Sequence, residues 1–347
     1  MKNINLAVDG GGTSLRIIAF DDDLNLAARS KSGSVNPNFE KEEKIGENIS
    51  TAVKMLLNDL EDLRGSSGDF KIRNIYATIV GSVSFFNEIF VKESREYGEI
   101  SQESSLQNIS EAQSHLFAAS LGDTGGIALA GTGSGAIYCK KDDIIHLGGY
   151  GIPVGDEGSG AWIGIRGMSA AIRHLNGWGE ETILTEKLFQ YLNIDSQWAI
   201  TGALYNKKIN QRNLFAGFCP FVAECQRSGD KIAKDIMYSA GRDMGLQMIS
   251  LLKKAESKNM IDFSAEPPVI FASGGAWKGT PYMLDAMTET IRNVYPEIIC
   301  THGLFDPVMA GVIKFIFDKT GENIVSGQYQ EHLKKEFKDY LFKFDEF

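Results

Sequence analysis

Two short stretches of this chain combine residue types suited to phosphate chemistry. In "DGGGT", Asp9 precedes Gly10, Gly11, Gly12 and Thr13; in "GTGSG", Thr132, Gly133 and Ser134 are enclosed by glycines. Glycine lets the backbone come close to a ligand, and consecutive glycines expose N–H donors that match phosphate oxygens. An aspartate beside such a loop repels a phosphate unless a cation lies between them. Asp9 therefore implies Mg²⁺, which favours carboxylate, water and phosphate oxygens. A plain tight hairpin also accounts for Gly10 to Gly12, but it does not require the acid. No GxxxxGK[ST] loop occurs, and both glycine clusters lead into strands rather than into the helix that a dinucleotide-binding loop opens.

Further candidates lie between and beyond these loops. Glu111, in "QNISEAQSHLFAAS", reads as a helix N-terminal acid behind a Ser110 cap. Asn36, beside Pro37, reads as a helix-start signal. "GGYGIPVGDEGSG" sets Asp156 and Glu157 among glycines, as a solvated turn or as part of a site. Cys139, Cys219, Cys225 and Cys300 show no CxxC pairing, and Cys219 and Cys225 read as small buried side chains. None of His115, His146, His174, His302 and His332 pairs at ligand spacing, so each reads as structural or exposed.

The elements that must position these residues are mixed α/β. Residues 3–30 read as strand, glycine turn, strand, acidic turn, strand, and the same order returns in "GGIALA", "GTGSG", "AIYCK", "KDD" and "IIHLGG". That weak internal repeat suggests two halves on one plan. Between them the apolar spacing predicts a helix from about Asn38 to Leu60, with Ile45, Ile49, Ala52, Val53, Leu56, Leu57 and Leu60 on one face, its start marked by "NPN". A strand at 75–81 and a helix after Glu111 follow. From Ser159 to Ser257 the pattern is mostly helical, with Ile232, Ile236, Ala240, Met244, Met248 and Leu251 on the clearest face. A buried strand "PPVIFASGG" ends in paired glycines, and the stretch from Tyr329 reads as an exposed amphipathic helix.

With 347 residues, 43% of them hydrophobic, the chain can bury a sizeable core in two domains or lobes. A net charge of -10 argues against nucleic acid and anionic membranes as partners, which leaves small molecules or proteins. Few cysteines and the absence of an apolar segment of about 18 residues or a leader pattern set the expectation of a cytoplasmic protein.

From Asp9 to about Gly311 the motifs resemble the N-acetylglucosamine kinase branch of the BadF/BadG/BcrA/BcrD-type ATPase family, within the actin-like ATPase and sugar kinase superfamily. The ordered set carries the resemblance: "DGGGT", "AGTGSG", "GGYGIPVGDEGSG", "ASGGAWKG" and "FDPVMAGV". It implies an α/β fold of two ribonuclease-H-like lobes around a nucleotide cleft, residues 1–112 forming the first, 113–304 the second, and 305–347 packing back on the first. It also implies ATP and Mg²⁺ as cofactors. Asp9 would help hold the metal, Gly11, Gly12 and Thr13 would contact the phosphates, and Thr132, Gly133 and Ser134 would form a second clamp. Gly274 and Gly275 would flank the nucleoside. Asn36, Gly149, Tyr150 and Asp156 match positions that contact the hexose or its 2-amino or acetamido group.

Two departures accompany the resemblance. Glu111 stands where such kinases carry an aspartate base, and "GYG" replaces the usual Gly-Trp-Gly. The expected activity is phosphorylation of N-acetylglucosamine, glucosamine or a close amino sugar at the 6-hydroxyl. A sensing protein with weakened transfer and an energy-coupling ATPase are the alternatives, although the cysteine set of the iron–sulfur activators is missing. Kinases of this kind are often homodimers; no interface is legible in the sequence.

Overall fold

The computed structural model describes residues 2–67, 70–95, 105–206, 210–263 and 267–344. Their contacts group the chain into two units, Met1–Asp123 with Leu304–Leu341, and Thr124–Gly303 with Phe342–Phe347.

In the first unit, β1 (Lys2–Gly10) pairs antiparallel with β2 (Leu15–Asp21), which pairs antiparallel with β3 (Leu26–Ser32). On its other side β1 runs parallel to β4 (Phe70–Ile79), and β4 to β5 (Ser105–Asn108), giving the order β3-β2-β1-β4-β5. Successive strand side chains point to opposite faces, so Ile4, Leu6 and Val8 enter one core cluster while Ala7 enters another. The first cluster is completed by α1 (Glu42–Ser67), whose seven expected apolar residues are all buried, and by Phe86 and Phe90 of α2 (Val83–Ser94). Each such side chain contributes about 1.5–3 kcal/mol on burial. The opposite face is covered by α3 (Glu111–Ser120) and by the later α11 (Ala310–Thr320), with Leu333 of α12 (Gly327–Glu336) in the same cluster.

Two boundaries differ from the sequence reading. Helix α1 begins at Glu42 rather than Asn38, because Asn36 turns the chain: its carbonyl accepts from Phe39 and Glu40, and its Oδ1 accepts from Asn38 N. The closing helix stops at Glu336, Lys338–Tyr340 forms a 3-10 turn, and Phe342 stacks on His302, 4.1 Å between ring centroids, in the second unit. Helix α2, opened by Ser82 accepting from Phe85 N, was not anticipated.

The second unit repeats the plan. β6 (Thr124–Ala130), β7 (Ser134–Lys140) and β8 (Asp143–Gly148) form the antiparallel part, and β9 (Val269–Ser273) and β10 (Ile299–His302) add in parallel, in the order β10-β9-β6-β7-β8. Relabelled from the first strand of each half, this is the order and sense of the first sheet, so the suspected repeat is a repeat of topology. The region expected to be helical holds α4 (Gly160–Leu175), α5 (Leu184–Leu192), α6 (Ile200–Leu204), α7 (Gln211–Gly217), α8 (Cys219–Arg227) and α9 (Lys231–Ser257), with 207–209 outside the described residues. Ile236, Ala240, Met244, Met248 and Leu251 of α9 are buried in one cluster, and α10 (Tyr282–Arg292) packs on α9. Among the described residues, no helix is long and apolar enough to cross a membrane.

Candidate active site

In both units the candidate loops leave the carboxyl ends of parallel strands, where open α/β sheets bind their ligands. β1 ends at Gly10 beside the end of β4 at Ile79, and β6 ends at Ala130 beside the end of β9 at Ser273.

In the first unit, Asp9 lies opposite Arg16 across the β1–β2 hairpin, and directly opposed residues of an antiparallel pair share a face. Arg16 Nη2 donates to Asp9 Oδ2 at 2.8 Å, and Nη1 donates to Asp306 Oδ2 at 3.3 Å. Burial works against the guanidinium charge, but the two carboxylates outweigh it and raise the Arg16 pKa. Its Nε is buried with no partner. His115, one turn after Glu111 on α3, feels the charges of Glu111, Asp9, Arg16 and Asp306. Burial nevertheless holds its pKa below the usual histidine range.

The "DGGGT" turn is fastened by its carbonyls: Gly10 O accepts from Val80 N at 2.8 Å, and Gly11 O accepts from Val35 N at 3.2 Å and Ser34 Oγ at 3.4 Å. Nothing lies within 4 Å of the place a Cβ would take at Gly11, whereas at Gly12 the Phe39 ring stands 3.1 Å away and Asn36 Nδ2 3.8 Å. Asn36 is thus a buried turn residue against the first loop; as a helix-start signal it fails, since α1 begins six residues later, at Glu42. Glu111 is the exposed first residue of α3, behind a capping box in which Ser110 and Gln113 satisfy each other's backbone N–H. It is therefore an acid in the first turn of α3, one turn before His115.

In the second unit, the Ala130–Ser134 pairing leaves Gly131, Thr132 and Gly133 as a three-residue loop. All three of its carbonyls are tied back: Gly133 O accepts from Gly131 N at 2.8 Å, Gly131 O from Gly160 N at 2.8 Å, and Thr132 O from Ala161 N at 3.4 Å. The last two donors open α4, which Ser159 caps through Trp162 N. Ser134 Oγ donates to Glu157 O at 2.7 Å. The "GTGSG" and "GDEGSG" motifs are therefore one packed body.

Asp156 overturns the solvated-turn reading. It is only 2% exposed and its backbone is left-handed, at φ 60°. Its Oδ1 accepts from Gly151 N at 3.0 Å and its Oδ2 from Arg212 Nη2 at 2.9 Å. Gly149 and Gly151 are also left-handed, at φ 78° and 82°, and the Tyr150 side chain between them is 83% exposed. Gly274, at φ 112°, sits so close to Ala130 O that a Cβ would come within about 2.5 Å of it, while Gly275 faces open space. Trp277 Nε1 donates to Ala128 O at 2.9 Å and pins this turn to β6.

Among the described residues, no group of three or more His, Cys, Asp or Glu side chains is arranged to hold a metal ion. Mg²⁺ does not need one, since it binds through one or two carboxylates, water and substrate phosphates. Asp9 fits that demand: Arg16 engages one of its oxygens, and its side chain remains 20% exposed.

A profile built on the BadF/BadG/BcrA/BcrD ATPase family matches residues 6–312. The chain belongs to that family. It is 23% identical over 304 residues to an N-acetylmuramic acid/N-acetylglucosamine kinase of Clostridium acetobutylicum, covering 84% of this chain and 92% of the relative. It is 23% identical over 323 residues to an N-acetyl-D-glucosamine kinase of Dictyostelium discoideum, covering 90% and 97%. The solved structure of a candidate N-acetylglucosamine kinase from Chromobacterium violaceum superimposes with a TM-score of 0.60 at 22% identity, over 90% of this chain and 98% of that one. That likeness bears out the expected actin-like α/β fold.

The sequence reading gave no part to Arg16, Asp306 or Arg212, and read His115 as structural or exposed. Arg16 was open to discovery, since Asp9 and Arg16 are equidistant from the turn. His115 was open too, being four residues from Glu111. Asp306 lay in the quoted "FDPVMAGV" with no role assigned. Arg212 gave no local signal, because it lies 56 residues from its partner Asp156.

Proposed function

We propose that this protein is an ATP-dependent sugar kinase that phosphorylates N-acetylglucosamine, glucosamine or a close amino sugar at its 6-hydroxyl. The observation that carries the reading is the ion-paired cluster at the end of β1, where Arg16 bridges Asp9 and Asp306, in a family member whose relatives are named as such kinases. Glu111 accepts the proton of the sugar hydroxyl as its oxygen bonds to the γ-phosphorus and the bond to the β-phosphate oxygen breaks, releasing ADP. Gly11, Gly12 and Thr13 on one loop, and Thr132, Gly133 and Ser134 on the other, supply contacts to the phosphates. Bound Mg²⁺, held through Asp9, supplies neutralisation of phosphate charge. Arg16 holds the Asp9 carboxylate in place from β2. Asn36, Gly149 and Tyr150 belong to the sugar side, Gly274 and Gly275 to the nucleoside side.

The test is hexose-dependent ADP release, measured for the wild type, Glu111→Gln and Glu111→Asp. The wild type is expected to respond to N-acetylglucosamine or glucosamine, and Glu111→Gln to lose about 10²–10⁴-fold in kcat while retaining ADP binding. Steady ATP hydrolysis that no hexose stimulates would refute the kinase reading and favour an energy-coupling ATPase. Binding of sugar and ATP without turnover, with transfer restored by Glu111→Asp, would point to a sensor.

A further inference from the structure

The second phosphate loop depends on a side chain distant in sequence. With its three carbonyls bonded inward, the Gly131–Gly133 loop turns its repulsive oxygens away from an incoming anion. Its fourth side is closed at Gly133, where a Cβ would overlap Arg212 Nη2 and lie 2.6 Å from Asp156 Oδ2. Gly133 is glycine because this ion pair lies against its Cα. Asp156 in turn holds the Gly149–Gly151 turn through Gly151 N. Arg212, on α7, is therefore the one member of this chain of contacts contributed from outside the two motifs.

We propose that Arg212 is a positioning residue: through Asp156 it sets both the second phosphate loop and the turn carrying Tyr150, and so links nucleotide affinity to sugar affinity. This rests on the kinase reading only for the sugar half. Arg212 acts by geometry rather than by net charge, since its charge is matched by Asp156 at 2.9 Å. Removing it leaves a buried carboxylate with a backbone N–H as its remaining partner, and the loop relaxes toward the vacated space.

The experiment is calorimetric titration of the full chain with ADP, alone and with saturating N-acetylglucosamine or glucosamine. It compares the wild type with Arg212→Met, Arg212→Lys, Asp156→Asn and the double variant Arg212→Met/Asp156→Asn, and a thermal melt of each is recorded. Arg212→Met is expected to weaken ADP about tenfold without sugar, a loss of about 1.4 kcal/mol. Asp156→Asn should weaken it similarly, Arg212→Lys should recover part of the loss, and the double variant should be no weaker than the weaker single one. Sugar should strengthen ADP binding in the wild type and less so in Arg212→Met.

ADP affinity of Arg212→Met within twofold of the wild type overturns the proposal, as do single effects that multiply in the double variant. If Arg212→Met does not fold, Arg212→Lys and Asp156→Asn decide by the same criteria. A wild type that binds ADP but phosphorylates no hexose refutes the kinase reading and leaves the sugar-free ADP comparison to decide on Arg212. A wild type that binds no ADP refutes both.

Discussion

Replacing Arg16 by methionine is the sharpest probe of the first half-site, because it removes one cation from between two carboxylates. Asp9 and Asp306 are 20% and 22% exposed and Arg16 27%, so the pairs are neither fully screened nor fully buried. At an effective dielectric of about 20, two like charges separated by roughly 6–8 Å, on the order of the span of a bridging guanidinium, repel by about 2–3 kcal/mol. The measured loss should have that size, below the about 3–5 kcal/mol of a fully buried broken pair. It corresponds to a fall of roughly 5–10 °C in the melting of the first unit. The assay is urea unfolding followed by circular dichroism for Arg16→Met, Asp306→Asn and the double variant. Removing Asp306 from the methionine background also removes the repulsion, so Arg16→Met/Asp306→Asn should be more stable than Arg16→Met alone. A double variant that is no more stable, or an Arg16→Met loss below about 0.5 kcal/mol, the scale of an unimportant surface change, would refute the reasoning.

Other outcomes follow from single sites. Gly131→Ala should fold with little loss, since no atom lies within 4 Å of its Cβ position, whereas Gly133→Ala must push the Arg212 guanidinium aside from Asp156 and should melt lower; similar melting temperatures for the two would contradict the close approach. His302, stacked on Phe342, has its pKa lowered by burial, with Asp285 pulling the other way. Its folded pKa lies below the unfolded value of about 6.5, so its contribution is present above that pH and is lost as pH falls from there toward the folded pKa. Urea midpoints compared at pH 7 and 5.5 should fall less for His302→Phe than for the wild type, the difference reaching at most about 1.4 kcal/mol per pH unit. Equal slopes would show that His302 does not titrate in this way.

The sequence by itself determined the features that rest on local periodicity and turn chemistry. Period-two strands around glycine turns, the apolar stripe of α1 and the ordered motifs were enough for the α/β class, the repeated plan and the family. They were also enough to bring out Asp9, Glu111 and both glycine loops as candidates, because a glycine run and an unexplained acid are visible within a few residues. Helix α2 was missed because "VSFFNEIFVKES" is apolar on too many sides to show a clear stripe. The start of α1 was misplaced because "NPN" carries helix-start residues that the fold uses as a turn.

What only the tertiary structure decided is how the motifs depend on groups remote in the chain. Asp9 meets Asp306 through Arg16 because α11 returns to the first sheet some three hundred residues later, and Asp156 meets Arg212 because α7 folds over the second loop. Hydrogen bonds and ion pairs act over a few ångströms regardless of sequence separation, so composition and spacing carry no trace of them. A glycine reveals only that something comes close, and the folded chain shows that at Gly133 the neighbour is an arginine paired with an aspartate.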